Sequence, residues 1–170
     1  MTTNTGRLIK WLLLLSGLII VLNGCWYYSF KGSLPSHVHS IAIPLFDDRT
    51  GYPNVREDLT NKVIDEFVSD NTLKVTDEDK ADLLLTASIS SITQQAATVS
   101  AGEDVTEYKM VVSVKVKCED IKLSKILYDK SIQQYGLMPA DGGLDDRENA
   151  IKDALDLITE EIINSTLGAW

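Results

Sequence analysis

The side chains between Tyr108 and Cys118 alternate more regularly than anywhere else in the chain, and this pattern constrains the fold most strongly. Every second position is aromatic, aliphatic or thiol-bearing, the six residues being Tyr108, Met110, Val112, Val114, Val116 and Cys118. A period of two places such residues on one face of a β-strand. The run therefore predicts a half-buried strand, with Lys109, Lys115 and Lys117 on the face away from the core.

Four further segments have the composition of strands, at residues 38–46, 73–75, 81 or 83 to about 94, and 126 to about 136. We expect the last of them to pair with the alternating run in a hairpin across the 119–125 turn. In the first, Pro44 cannot donate a backbone hydrogen bond, so this strand should lie at a sheet edge or end there. The small, polar residues 96–106 predict a loop.

Residues 54–71 have the periodicity of an amphipathic helix. Asn54 followed by Glu57 has the pattern of a capping box at its start. Its apolar stripe contains Val55, Leu59, Val63, Ile64, Phe67 and Val68.

A second helix is predicted after Gly142 and Gly143. Asp145 is placed to cap it with Glu148 three residues later, and Gly168 is the expected stop. Its buried stripe contains Ile151, Ala154, Leu155, Ile158 and Ile162.

The order of these elements is β-α-β-β-β-β-α. Strands grouped together, with two amphipathic helices to cover one face, predict an α+β fold. We expect a mostly antiparallel sheet of four to five strands packed on the two helices. Residues 38–170 suffice for one domain with a single core.

The N-terminus has the features of an export signal. Arg7 and Lys10 precede an apolar run from Trp11 to Leu22, too short to span a bilayer comfortably, and Cys25 follows. The residues 22–25 resemble a bacterial lipobox, which predicts that residues 1–24 are removed, that Cys25 is acylated, and that residues 25–37 link the anchor to the domain. An uncleaved signal anchor, or a secretory peptide in which Cys25 is incidental, is the alternative.

Charge and cysteine content narrow the range of functions. The formal net charge is −9, and the first 24 residues contribute two bases and no acid, so the remainder is more acidic still. The negative electrostatic field of such a chain disfavours general binding to nucleic acid, because phosphates must be neutralised by lysine and arginine. Besides Cys25 the chain contains only Cys118, which continues the apolar face of its strand and is expected to be a buried small side chain.

No catalytic motif stands out, and we expect neither an enzyme nor a cofactor. The sequence contains no G-x-S-x-G, phosphate loop, H-E-x-x-H or C-x-x-C. Asp47 and Asp48 are interpreted as turn residues. His37 and His39 would share a strand face, but no third histidine exists to complete a metal site, so no metal is expected.

The lysines offer one candidate site. Lys109, Lys115 and Lys117 share a strand face, and Lys130 is placed to join them from the neighbouring strand, where the four would form a positive strip able to bind phosphates. The alternative is that they form the solvated face of a half-buried sheet.

The chain resembles the lipopolysaccharide-assembly lipoproteins of the LptE family. The resemblance rests on an ordered series of short matches: Cys25, residues 27–32, Leu34-Pro35, residues 41–46, Arg49-Thr50, Leu59-Thr60, Phe67, residues 73–75, residues 81–85 and the strand after Thr106-Glu107-Tyr108. It implies an outer-membrane lipoprotein, held by acyl chains on Cys25, that sits as a plug inside an LptD-like β-barrel and helps lipopolysaccharide reach the cell surface.

Two other classes remain open. The chain is also compatible with a periplasmic adaptor lipoprotein for cell-wall synthesis or secretion, because strand starts such as residues 41–46 recur in such proteins. A lipid-anchored envelope hydrolase with scattered site residues is the third class. Co-purification of a β-barrel that stays bound in detergent would support the plug, and co-purification of a cell-wall synthase would support the adaptor. A concave pocket with convergent groups of shifted pKa would support the enzyme.

Overall fold

Three long strands form the centre of the fold. A computed structural model describes residues 34–99 and 105–169, so the expected signal segment, Cys25 and most of the expected linker lie outside the described residues. The strands are β4 (Leu83–Val99), β5 (Val105–Asp120) and β6 (Lys125–Pro139), joined in antiparallel order. Their alternating side chains place one apolar face on the core, as the sequence predicts.

Three short strands complete a six-stranded sheet. They are β1 (Ser40–Ala42), β2 (Asp47–Asp48) and β3 (Lys74–Val75), and the strand order is β3-β1-β4-β5-β6 with β2 paired to β4. The first strand ends before Pro44, which is one of the two expected outcomes. All pairings of β1, β2 and β3 are parallel. The sheet is therefore mixed rather than purely antiparallel, because β1 and β3 are joined through a helix that carries the chain back to the same end.

The first helix, α1, spans Val55–Asp70 and closely matches the predicted segment. The predicted capping box does not form: Asn54 has a left-handed backbone with φ 58°, and its side chain makes no capping hydrogen bond. The helix buries Val55, Leu59, Thr60, Val63 and Phe67, whereas the predicted stripe residue Val68 is exposed. The stripe is thus narrower than predicted.

The second helix, α2, spans Leu144–Leu167. The predicted cap, Asp145, lies inside the helix, and the residue at the N-cap is Gly143. The backbone N–H of Gly143 donates to the carboxylate of Asp146 at 2.8 Å. Gly168 ends it as predicted. The whole predicted stripe is buried, and the two helices lie side by side on one face of the sheet, where their apolar residues share a single core with the strands.

The strands of the central hairpin are longer than the sequence indicates. Residues 94–99 pair with residues 105–110, so much of the predicted 96–106 loop is strand, and residues 100–104 lie outside the described part. A bulge in β6 shifts the β5–β6 register by one residue at Cys118 and Glu119. This shift decides which face the rest of β6 presents.

Within the described residues, neither helix has the length and apolar content needed to cross a membrane.

Candidate functional site

The face of the sheet opposite the helices is broad and mostly polar. On each long strand, the residues that alternate with the core positions lie on this face. They include Thr86, Ser88, Ser91, Thr93, Gln95, Ser113, Ser131 and Gln133. We call this surface the outer face. Hydroxyls and amides bind water and polar partners equally well, and Gln133 donates to the hydroxyl of Ser113 at 3.0 Å. The outer face is thus a largely polar surface carried by three strands, with Val111, Tyr135 and Leu137 as an apolar section.

Lys109, Lys115 and Lys117 lie on the outer face, as predicted. The ammonium of Lys115 is 3.5 Å from the Asp129 carboxylate, and that of Lys117 is 2.6 Å from Glu119. Lys109 lies over the ring of Tyr135, 5.6 Å from its centroid. Each lysine therefore has a partner in the same chain, and the face carries charges of both signs rather than a purely positive strip.

Lys130 does not join these lysines. It pairs across the strands with the buried Val116, so it lies on the helix side of the sheet. There its ammonium is 2.9 Å from the carboxylate of Glu161 on α2, which also accepts from Gln134 at 3.1 Å. The hydrogen bond from Lys130 outweighs partial burial and lowers the pKa of Glu161. Lys130 thus ties helix to sheet, and the expectation that it extends the strip is wrong.

A second polar cluster lies at the end of the sheet where the described chain begins. We call His37, Asp82, Asp120 and Lys122 the junction cluster. His37 Nε2 is 2.6 Å from an oxygen of the fully buried Asp120, and Lys122 Nζ is 2.6 Å from the largely buried Asp82. Lys122 also donates to the carbonyl oxygen of His37 at 3.4 Å. The cluster therefore fastens the first residues of the domain to the β5–β6 turn.

Both carboxylates of the junction cluster have lowered pKa values. At Asp82 the hydrogen bond from Lys122 dominates, against the opposing effect of burial, and the backbone N–H of His39 adds to it. At Asp120 burial alone would raise the pKa, but the bonds from His37 and from the Leu123 backbone outweigh it. Sequence reasoning missed this cluster because its members are far apart in the chain; a polar residue at an otherwise apolar strand position, as at Asp120, was the available signal.

Three further groups, on Cys118, Tyr128 and Asp48, have pKa values displaced by burial or by hydrogen bonds within the fold. Burial raises the pKa of Cys118 to about 12, which agrees with its prediction as a buried small side chain. Burial also raises the pKa of Tyr128, whose hydroxyl lies 2.7 Å from that of Thr166 on α2. Asp47 and Asp48 form the short strand β2 rather than a turn, but the Asp48 carboxylate accepts from Thr50 and Gly51 in the turn that follows, which is the hydrogen bonding typical of a turn aspartate.

A cavity of about 360 Å³ lies at the opposite end of the molecule, between the first turns of the two helices. Its walls include Tyr52, Val55, Leu144, Arg147 and Ile151. None of the displaced pKa values belongs to a residue that lines it. Across the described residues, no group of three His, Cys, Asp or Glu side chains is arranged to hold a metal ion.

These features define a small α+β domain that presents a broad polar sheet face on one side and a helix pair on the other. Its fold occurs in solved structures of low sequence identity. A hypothetical protein from Chlamydia trachomatis has a TM-score of 0.59 at 13% identity, covering 78% of this chain and 97% of the other. A protein from Xanthomonas campestris has a TM-score of 0.57 at 12% identity, covering 86% and 90%.

A PelC dodecamer from Paraburkholderia phytofirmans has a TM-score of 0.50 at 11% identity, covering 75% of this chain and 90% of the other. A comparison with curated proteins gives no match. The family model described as LptE, lipopolysaccharide-assembly, matches residues 38–166, which is most of the chain and nearly all of the described domain. The chain belongs to the LptE family.

Proposed function

We propose that this protein is an outer-membrane lipoprotein, anchored through Cys25, that plugs an LptD-like β-barrel and assists the insertion of lipopolysaccharide at the cell surface. The observation that carries the proposal is the family match over residues 38–166. In this role the protein binds and shapes its partners and is not an enzyme.

The outer face supports the plug role. The lumen of a large outer-membrane barrel is polar, so a plug needs a rigid surface of hydroxyls, amides and paired charges. The outer face offers such a surface on three strands of 15 to 17 residues. Because β5 is paired on both sides, with β4 and with β6, its backbone groups are already used and a barrel wall would meet this strand through its side chains.

The lysines of the outer face are proposed to contact the phosphates of lipopolysaccharide. Lys115 and its partner Asp129 are both well exposed, with side-chain exposures of 62% and 40%. An exposed ion pair contributes only about 0–1 kcal/mol, so a phosphate can replace the carboxylate at little cost. Lys109 and Lys117 complete the contact, whereas Lys130 faces the helices and is not part of it.

Charge reversal tests the lipopolysaccharide contact. The double variant Lys115→Glu/Lys117→Glu should retain less lipopolysaccharide on purification while its thermal unfolding changes little. Lys74→Glu/Lys152→Glu makes the same change in net charge at exposed positions elsewhere and is the matched control. Equal retention by both variants would dismiss the contact.

Purification from membranes tests the partner. We expect a β-barrel to remain bound in detergent and barrel maturation to fail when this protein is depleted, with a loss of surface lipopolysaccharide. Recovery of a cell-wall synthase or a secretion component instead would favour the adaptor function. Cys25→Ala, or globomycin treatment, should leave an unprocessed precursor, and normal maturation would contradict the anchor.

A further inference from the structure

Three exposed aliphatic side chains surround the β5–β6 turn at residues 121–124. Ile121, Leu123 and Ile126 are 39%, 61% and 52% exposed. Three such side chains within six residues are grouped rather than scattered, and grouped exposed apolar side chains are typical of contact surfaces. Lys122 and Lys125 alternate with them and are also exposed. Aliphatic tips flanked by lysines suit the boundary between lipid tails and headgroups, where lysine stems extend towards water.

The turn is held in place rather than loose. The Asp120 carboxylate accepts the backbone N–H of Leu123 at 2.8 Å, and the N–H of Ile121 donates to the carbonyl of Asp82 at 2.9 Å. Lys122 is bound to Asp82 through its ammonium. Because these bonds fix the backbone of the turn, the aliphatic side chains are presented at little additional entropic cost.

The same bonds place the turn beside the start of the described chain. His37 contacts Asp120, and the described chain begins three residues earlier at Leu34, which packs against the core. Eight residues lie between Cys25 and Leu34, and the nine Cα–Cα steps that join these two residues reach at most about 30 Å when extended. If Cys25 carries acyl chains, the end of the domain that holds this turn is therefore the end kept near the bilayer.

We propose that the 121–126 segment is a second membrane contact, in addition to the acyl chains on Cys25, and that it inserts Ile121, Leu123 and Ile126 into the lipid interface. The inference rests on the proposed anchoring of Cys25. The contact is apolar rather than electrostatic, because the neighbouring 3₁₀ turn Glu78–Lys80 and Asp77 bring acidic side chains to the same end of the sheet. It orients the domain, so that the sheet stands at a set angle to the membrane surface.

An environment-sensitive fluorophore at Leu123 tests this contact. The lipidated full-length chain carrying Leu123→Cys is labelled with NBD and reconstituted into phosphatidylcholine vesicles, with Cys118 remaining buried and unlabelled. We expect a blue-shifted emission that is quenched by lipids with doxyl groups near the headgroup. Leu144→Cys is the control. Leu144, the first residue of α2, is 77% exposed and lies in the wall of the cavity at the opposite end of the molecule, so a label there should show neither effect.

The experiment separates the inference from the anchor on which it rests. Failure of the protein to float with vesicles would overturn the anchoring of Cys25. Flotation with a water-like emission at both labelled positions would overturn the membrane contact alone. A shift at Leu123 that needs a barrel partner and is insensitive to doxyl lipid would also overturn it, in favour of a protein contact.

A second variant tests whether the aliphatic side chains act together. Ile121→Ser/Ile126→Ser, combined with the label at Leu123, should reduce the doxyl quenching several-fold and leave thermal unfolding unchanged, since both side chains are exposed. Unchanged quenching would show that the turn is near lipid without inserting, which contradicts the proposal.

Discussion

Gly136 on β6 and Ala150 on α2 approach so closely that a β-carbon added to Gly136 would lie 2.0 Å from the backbone carbonyl oxygen of Ala150. The obstacle is backbone, which cannot rotate away as a side chain can. Only a residue without a β-carbon permits this spacing, so Gly136 sets how closely the helix lies on the sheet.

Gly136→Ala should therefore destabilise the domain by about 3 kcal/mol, because the helix must shift outwards and its buried stripe loses contacts. Urea unfolding at neutral pH measures the change. Gly143→Ala is the control: an added β-carbon there meets nothing within 4 Å, and we expect a change below about 1 kcal/mol. Similar losses in both variants would contradict the role given to the close approach.

Stability should depend on pH through Asp82 and Asp120. Both pKa values are lowered in the folded state, so their contribution is fully present above the unfolded value of about 3.9 and is lost as the pH falls below it. We expect the urea midpoint to drop between about pH 5 and pH 2.

Asp82→Asn should lower stability at pH 7 by about 1–3 kcal/mol and flatten the acid dependence, because the backbone donors of His39 and Ser40 lose a charged acceptor. Asp79→Asn, at an exposed site nearby, should do neither. An unchanged acid limb in the Asp82 variant would show that other carboxylates govern it.

Two of the lysine–carboxylate pairs, Lys130–Glu161 and Lys115–Asp129, should differ in coupling energy. Lys130 and Glu161 join sheet to helix at 2.9 Å and are about one-third exposed, whereas Lys115 and Asp129 lie 3.5 Å apart and are more exposed. A double-mutant cycle should give about 0.5–1 kcal/mol for the first pair and about zero for the second, since solvent screens exposed pairs. The reverse order would contradict the role given to Lys130 in tying the helix to the sheet.

Cys118 should be unreactive in the folded protein. Burial raises its pKa to about 12, and its side chain is fully buried. In a chain with Cys25→Ser, alkylation by iodoacetamide at pH 8 should be slower than in urea by a factor on the order of a thousand. Rapid labelling under native conditions would show that the strand opens locally.

Lys130 shows how one local irregularity defeats a sequence argument. The hairpin starts with Asp120 opposite Lys125, and an uninterrupted register would place Lys130 opposite Lys115 on the outer face. The bulge at Leu127 adds one residue to β6, so Lys130 faces Val116 and the helices instead. Because side chains alternate with period two, a single inserted residue reverses the face of every position after it.

Other differences have the same kind of cause. The strands extend to Val99 and from Val105 because they pair with one another, and the valine and threonine residues in these segments are types that favour strands. Asn54 has the residue type of a cap, but its backbone is left-handed rather than extended, and its side chain makes no capping hydrogen bond.

What the sequence by itself determined is the local periodicity: two helices, the long alternating strands, their order, and the buried faces of β5 and α2. Each follows from side-chain spacing along a single element. Only the tertiary structure decided the parallel pairing of β1 and β3, the separation of Lys130 from the other lysines, and the junction cluster at the start of the domain. These depend on strand register and on contacts between residues distant in the chain. The energy of such contacts arises between elements, so the side-chain periodicity of a single element does not reveal it.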